Sequence, residues 1–268
     1  MMDYSNWTIY KRGIISKCAP HVNLGAVCAK ALFAHFPNAV YIRYVSDFDN
    51  AQDRKFYYVI RDGDFSMDII PSKTRNMVRR CLKNMMIKRV DYQCIINGGG
   101  YEVELSEHRR FRRKGFASRV RSKEQWEKGL KEAQVSGQEF WGVFCDDVVA
   151  AYAVTRIKDS MVDLVTWKCD YERFNNMYPS YGLVYVMTEY YLKQPGIKYV
   201  NDGNKSFTEH SEVQNMLISK FGYRKAYSNL HVVFKWWLKI VIVLLSPFEK
   251  YVKNNVLLSF IRMYKWSV

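Results

Sequence analysis

Three groups of side chains in this 268-residue chain have the types and spacing for chemistry. The first is Glu209-His210, with Asp202 a short way upstream. An imidazole titrates near neutral pH, so His210 suits a general base with Glu209 beside it. Asp202 suits the task of orienting an amine. Tyr181 and Tyr227 each offer a phenol hydroxyl that can give or accept a proton. Each also has a plainer reading. Thr208-Glu209-His210 can simply start a helix, Asp202 can be a turn residue, and a given tyrosine among 20 can be packing.

The second group is the basic run Ser72–Asn84, which carries Lys73, Arg75, Arg79 and Arg80. On a helix Arg75 and Arg79 share one face, while Val78, Cys81 and Leu82 take another. A guanidinium fork matches phosphate or carboxylate oxygens in a way that an ammonium does not. The plainer reading is the solvated face of an amphipathic helix. The third group, the six cysteines, shows no Cys-x-x-Cys pair. A zinc site is therefore poorly supported, and no metal is expected. Cys145 and Cys169 fall in strand patterns, where an inert buried thiol is the expected role. There is no nucleophile elbow and no P-loop. Reduced thiols, with a polar stretch from Met1 to Tyr10 instead of a signal peptide, point to a cytoplasmic compartment.

These residues must be placed by the elements around them. Glu139–Cys145 is aromatic and β-favouring, Asp146-Asp147 is a turn, and Val148–Thr155 completes a hairpin. Met161–Trp167 is a third strand. Tyr178-Pro179-Ser180-Tyr181-Gly182 breaks the pattern. Leu183, Val186, Met187 and Tyr190 then follow at helical spacing up to Pro195-Gly196. Ile197–Val200 is a short strand ending at Asn201-Asp202-Gly203. Val213, Met216, Leu217 and Phe221 mark a second helix capped by Gly222, and His231–Phe234 is a last strand.

Three meandering strands, a helix, a strand, a helix and a strand resemble the GNAT acyltransferase fold. The run Asn201-Asp202-Gly203-Asn204-Lys205-Ser206, then His210, then Asn215 through Phe221-Gly222-Tyr223-Arg224-Lys225 to Tyr227, is similar to the end of FemAB-like members of that superfamily. The resemblance covers the second half of the chain well and residues 39–90 loosely. It implies transfer of an acyl group from a carrier, acyl-CoA or an acyl-carrier protein, to an amine-bearing acceptor. It also implies substrate or carrier binding by the arginine helix together with Tyr181, Asn204 and Lys205. One departure matters. The Gly-rich loop whose amides hold the pyrophosphate of acyl-CoA is replaced by Tyr178-Pro179-Ser180-Tyr181-Gly182, in which Pro179 cannot donate. FemAB-like relatives often lack the loop and use aminoacyl-tRNA.

Upstream, Ala26–Phe36 has helical character. Ala39–Val45 and Lys55–Arg61 form a strand pair, Pro71-Ser72 caps the basic helix, and Met86–Asp91 is a further strand. That order matches half of a GNAT-like unit and suggests a degenerate tandem pair. Ser122–Gln134 reads as an amphipathic helix. The formal net charge is +15, and residues 72–123 hold 15 Lys/Arg against 4 Asp/Glu, densest at His108–Lys114 after a Gly98-Gly99-Gly100 loop expected to be mobile. Such a segment can grip RNA phosphates or lie against an anionic membrane. The tail adds an apolar run, Trp236–Leu245, too short to span a bilayer, and an amphipathic stretch beyond Pro247 with Lys250, Lys253, Arg262 and Lys265. This suits an interfacial anchor at the inner membrane face; the plainer reading is a helix packed on the domain or in a dimer interface.

The fold expected is therefore α/β (α+β): a GNAT-like mixed, mostly antiparallel sheet flanked by helices, with a C-terminal amphipathic helical tail. Three segments are expected: 1–135, a degenerate GNAT-like half with the basic segment; 136–235, the catalytic half; and 236–268, the tail. The expected activity is N-acyl transfer to an amine on a glycan, lipid or peptide precursor. Two other readings stand beside it. One is an aminoacyl-tRNA-dependent transferase, and the other a non-catalytic protein that binds anionic lipid or RNA on a degenerate GNAT scaffold.

Overall fold

A computed structural model describes residues 3–51, 54–115, 119–208 and 212–268 of the chain. Glu209 and His210, the expected acid–base pair, lie outside the described residues. In chain order the elements begin with β1 (Trp7–Tyr10), β2 (Gly13–Ser16), α1 (Ala29–His35), β3 (Tyr41–Ser46) and β4 (Tyr57–Asp62). Then come α2 (Ser72–Asn84), β5 (Met86–Val90), α3 (Tyr92–Asn97), α4 (Gly100–Arg113) and α5 (Lys123–Val135). The meander β6 (Glu139–Cys145), β7 (Val148–Lys158) and β8 (Met161–Cys169) leads to α6 (Tyr171–Phe174), α7 (Pro179–Leu192) and β9 (Tyr199–Asn204). The chain closes with α8 (Glu212–Phe221), β10 (Arg224–Tyr227), β11 (Asn229–Phe234), α9 (Trp236–Leu245) and α10 (Asn255–Trp266).

Two compact units interleave along the sequence. The larger holds Ile60–Gly203 and Met216–Tyr223; the smaller holds Met1–Val59, Asn204–Asn215 and Arg224–Val268. In the larger unit the strands lie in the order β4-β9-β8-β7-β6-β5. β5 through β8 are a run of antiparallel neighbours, and β9 adds in parallel beside β8. A parallel neighbour needs a crossover, and α7 supplies it. α7 is buried along most of its length because it packs on the strands while α2 covers it. That approach is close: a Cβ on Gly182 would stand 2.4 Å from the Cys81 sulfur, so glycine is what lets α2 settle on α7. On the other side Ile95, Val103, Trp126, Leu130, Phe140 and Tyr152 form the core beneath α3, α4 and α5.

The smaller unit has a four-stranded sheet in the order β1-β2-β3-β11, mixed because β2 and β3 run parallel. Its core joins Tyr41, Phe56, Phe207, Leu230 and Phe234 to Leu238 and Ile242 of α9 and Ile261 and Met263 of α10. The C-terminal helices are thus part of a folded core.

Local signals explain most boundaries. β6 spans the predicted Glu139–Cys145, and the turn after it carries Asp146 at φ 50°. The basic helix runs Ser72–Asn84 as read, but Pro71 is its N-cap and no side chain caps it. α5 has a true capping box, with Ser122 and Gln125 exchanging bonds. Three expectations are corrected. The strands read at Ala39–Val45 and Lys55–Arg61 do not pair with each other: β3 lies between β2 and β11, and β4 lies beside β9. Gly98-Gly99-Gly100 is a tight corner between α3 and α4, not a mobile loop: Gly98 ends one helix, Gly99 takes φ 77°, and Gly100 begins the next. The strand read as Ile197–Val200 starts later and continues to Asn204, so Asp202 and Gly203 are strand residues and not a turn.

Candidate active site

β8 and β9 run together for only three residues, Met161 with Tyr199, Val162 with Val200 and Asp163 with Asn201, and then part. The cause is visible on β8. Its register against β7 slips where Thr155 faces Leu164 and Val154 faces Thr166, which leaves Val165 as a bulge. A bulge bends its strand and sharpens the twist, so β8 turns away where β9 continues. The last paired residues lock the fork. Buried Asn201 donates through Nδ2 to Asp163 Oδ1 at 2.8 Å, and Arg156 holds Asp163 Oδ2 at 3.1 Å.

Asp202 is the first β9 residue beyond the fork. Burial pushes its carboxyl up to about 7, against which the Trp167 indole N–H of β8 donates to the carboxylate. Nearby, the Tyr223 hydroxyl shares a 2.7 Å hydrogen bond with Thr188 of α7. A carboxyl held near 7 can exchange a proton at neutral pH.

The start of α7 decides how a carrier pyrophosphate would fare. Tyr178, at φ 57°, turns the chain into the helix, and Pro179 contributes no amide. The Ser180 amide is turned onto the Cys169 sulfur, and the Tyr181 amide donates back to the Tyr178 carbonyl at 3.0 Å. The Gly182 amide reaches that same carbonyl at 3.3 Å. The helix N-terminus is filled by its own chain, so these residues do not fit the pyrophosphate of acyl-CoA.

A separate cluster stands in the smaller unit. The Lys205 ammonium lies 4.3 Å from the Trp266 ring centroid and 5.5 Å from that of Tyr57, and donates to the Lys55 carbonyl at 3.2 Å. The Lys225 ammonium lies 4.8 Å from the same Tyr57 ring centroid. Burial, then repulsion from Lys225, Lys55 and Arg262, holds Lys205 below the usual lysine range. Among the described residues no carboxylate pairs with Lys55, Lys205 or Lys225, whereas Arg262 is held by Glu249 at 2.9 Å. Asn204 donates to the Lys205 carbonyl at 2.7 Å and accepts from Gln214 at 3.2 Å, so it shapes this loop. Tyr227 packs edge-on against Tyr57 at 5.6 Å, in a packing role.

No family model matches the sequence, and no curated protein does. Among solved structures, FemX matches with a TM-score of 0.56 at 12% identity, covering 84% of this chain and 77% of its own. The C-terminal domain of a putative lysylphosphatidylglycerol synthetase from Agrobacterium fabrum gives 0.48 at 10% identity, covering 89% and 82%. A tandem GNAT protein from the clavulanic acid biosynthesis pathway gives 0.45 at 11% identity, covering 83% and 75%. The fold is GNAT-like, similar to that of FemX.

Within this GNAT-like fold the arginine helix splits up. Arg75 donates to the Asp68 and Ile70 carbonyls at 3.1 and 3.3 Å, so it fastens the segment before α2. Arg80 stands 5.9 Å from the Tyr178 ring centroid, just ahead of α7, while Lys73 and Arg79 are exposed. Tyr181 packs edge-on to Tyr178 and against Phe221, and burial raises its hydroxyl. The four basic residues are not brought to one point.

The dense basic run His108–Lys114 is likewise turned inward in part. Arg109 and Arg113 both bind Glu172, and Arg110 lies 4.1 Å over the Tyr171 ring. Sequence reasoning passed over several residues here. Trp167 and Tyr223 flank Asp202, and nothing in their local pattern distinguished them. Glu107 of α4 is a second carboxyl that burial lifts to about 7, despite Lys168 and Arg110 beside it. Lys225 stood in the quoted Phe-Gly-Tyr-Arg-Lys junction and was the one discoverable signal. Among the described residues, no group of three or more His, Cys, Asp or Glu side chains is placed to hold a metal.

Proposed function

We propose that this protein is an acyl- or aminoacyl-transferase that moves an acyl group from an ester or thioester carrier to the amine of a glycan, lipid or peptide precursor. The observation that carries the reading is the fork itself: a bulged β8 parts from β9, and the first residue past the parting is a carboxyl tuned to about 7. Asp202 takes the proton that the attacking nitrogen loses as the new C–N bond forms, and the Trp167 N–H keeps the carboxylate aimed. The carbonyl carbon passes through a tetrahedral state. Its bond to the carrier oxygen or sulfur breaks, and the proton held on Asp202 returns to that leaving group. Beyond Asp163 the β9-facing backbone of β8 has no strand partner in the register, which leaves peptide groups to meet the developing oxyanion.

The α7 N-terminus favours a donor whose carrier is held elsewhere. The aminoacyl-tRNA donor implied by the FemAB-like resemblance meets that condition; taken by itself, the smaller unit's Lys55–Lys205–Lys225 cluster, which has no carboxylate partner among the described residues, suits phosphate. The test is a thermal-shift screen of the full chain with CoA, acetyl-CoA, acyl-carrier protein and a mixed aminoacyl-tRNA pool. It is followed by transfer of labelled acyl group to a panel of amines, with and without RNase. A carrier that binds the native state raises Tm. RNase-sensitive transfer supports the tRNA donor, and RNase-resistant transfer supports a thioester carrier. A non-catalytic scaffold would bind tRNA or lipid and transfer nothing to any amine.

A further inference from the structure

The smaller unit presents an apolar helix surface that its own core does not use. On α9, Leu238 and Ile242 point into the core, with Leu245 packed against it. A surface helix with that inner stripe should be polar outside. Instead Trp236, Ile240, Val243 and Leu244 form an outer stripe, with Trp236 75% and Leu244 66% exposed. Phe248 and Tyr251 extend it, 56% and 68% exposed, through the turn Ser246–Tyr251. Soluble chains seldom leave a contiguous patch of this kind uncovered.

The rim of the patch selects its occupant. From Lys235 onward the chain holds six Lys/Arg and one acid, Glu249, which is already bound to Arg262 and Lys265. Lys239, Lys250 and Lys253 remain exposed around the apolar stripe, with no carboxylate partner among the described residues. At the start of α9 a cavity of about 510 Å³ is lined by Trp237, Lys235 and exposed Arg12, with Ile9 beside them. Tryptophan and tyrosine at the edge of an apolar face, ringed by lysine, match the chemistry of a bilayer interface with anionic headgroups. α9 has ten residues, or about 15 Å, half the thickness of a hydrocarbon core. Among the described residues no helix is long and apolar enough to cross a membrane. On such a surface a helix of this length would lie in the plane of the interface.

We infer that the outer face of α9 and the Ser246–Tyr251 turn docks this protein onto an anionic phospholipid surface, with the indoles at headgroup depth and the lysines against lipid phosphates. This inference stands on the smaller unit alone and does not depend on the transferase reading. The experiment is flotation of the full chain with vesicles of neutral phosphatidylcholine, alone or mixed with about a third of phosphatidylglycerol, an anionic lipid. The expected result is flotation with the anionic vesicles, at least about tenfold weaker with neutral ones, and release by high salt. Leu244→Glu and Trp236→Glu should each abolish flotation with Tm unchanged, since both side chains are outside the core. Val135→Glu, on the exposed end of α5, should float like the parent. Brominated lipid should quench tryptophan emission of the parent, and less so when Trp236→Phe and Trp237→Phe are combined. No flotation with anionic vesicles, equal flotation with neutral ones, or flotation of Leu244→Glu would each overturn the inference. A concentration-dependent dimer that Leu244→Glu dissolves, in a chain that never floats, would assign the face to a second copy instead.

Discussion

The α4 layer and the end of β9 are both charged, and the fold treats them in opposite ways. Around α4 most charges meet an opposite one. Glu104 takes Lys168 and, at 2.9 Å, Arg121; Glu172 takes Arg109 and Arg113; Asp170 takes Arg173 and the Ser106 hydroxyl. At the end of β9, Asp202 has an indole and no cation among the described residues, and Lys205, just downstream, keeps company with other lysines. Charges matched in sign and geometry hold elements together. A charge left unmatched while partly buried destabilises the fold, and its persistence points to a ligand. Density of Lys/Arg along the sequence thus does not tell which charges the fold leaves unmatched.

The comparison is broken most decisively at Asp202. Asp202→Asn should lower kcat by about 10²–10⁴-fold with little change in carrier affinity, the range for loss of a general base. In the parent, the rate should rise through pH about 7 as the carboxyl ionises. Stability should move the other way. In the unfolded chain Asp202 ionises near the usual carboxylate value, while in the fold it holds its proton to about 7. Stability conferred by the neutral form is therefore full at low pH and falls between about 4 and about 7. Asp202→Asn should then raise Tm above the parent at pH 8, and the gap should close towards pH 4. A variant that loses activity without that gain in Tm would mean the carboxyl is not buried as described.

At the lysine cluster the expected effect is smaller and falls on binding. Lys205→Gln with Lys225→Gln should weaken the carrier about 10–100-fold, in KM and not in kcat, and should flatten the dependence of KM on salt, since each removed cation releases fewer counterions. The same pair should slightly raise Tm by relieving like-charge repulsion. If KM and its salt slope stay unchanged, the cluster is not where the carrier's phosphates lie.

How far the sequence alone showed this contrast depends on range. The β6–β7 hairpin, the Ser72–Asn84 helix and the α5 capping box are local events, and local residues announce them. The meander followed by a crossover helix was enough to expect a GNAT-like sheet. The extension of β9 through Gly203 was missed because Asn-Asp-Gly has turn chemistry, and only the neighbouring strands override it. Trp167 and Asp202 meet across 35 positions of sequence, past a bulge at Val165 that no local pattern announces. The Lys55, Lys205 and Lys225 cluster joins three distant segments. Arg109 and Arg113 looked free because their partner, Glu172, lies about 60 residues away.

That last pair gives the mildest test. Arg109 and Arg113 are largely exposed, 49% and 66% at the side chain, so their bonds to Glu172 are screened by water and salt. Arg109→Gln should give a small drop in Tm that salt diminishes, with Arg113→Gln giving a smaller one. Neither should change carrier KM, because these guanidiniums serve α6 and not a ligand. Glu172→Gln should cost at least as much as either, since it removes the shared acceptor and leaves two like charges side by side. If instead Arg109→Gln weakened the carrier as strongly as the lysine pair does, the basic run would be a phosphate grip after all. The contrast between matched and unmatched charge would then fail at the α4 layer, the place where it is drawn most firmly.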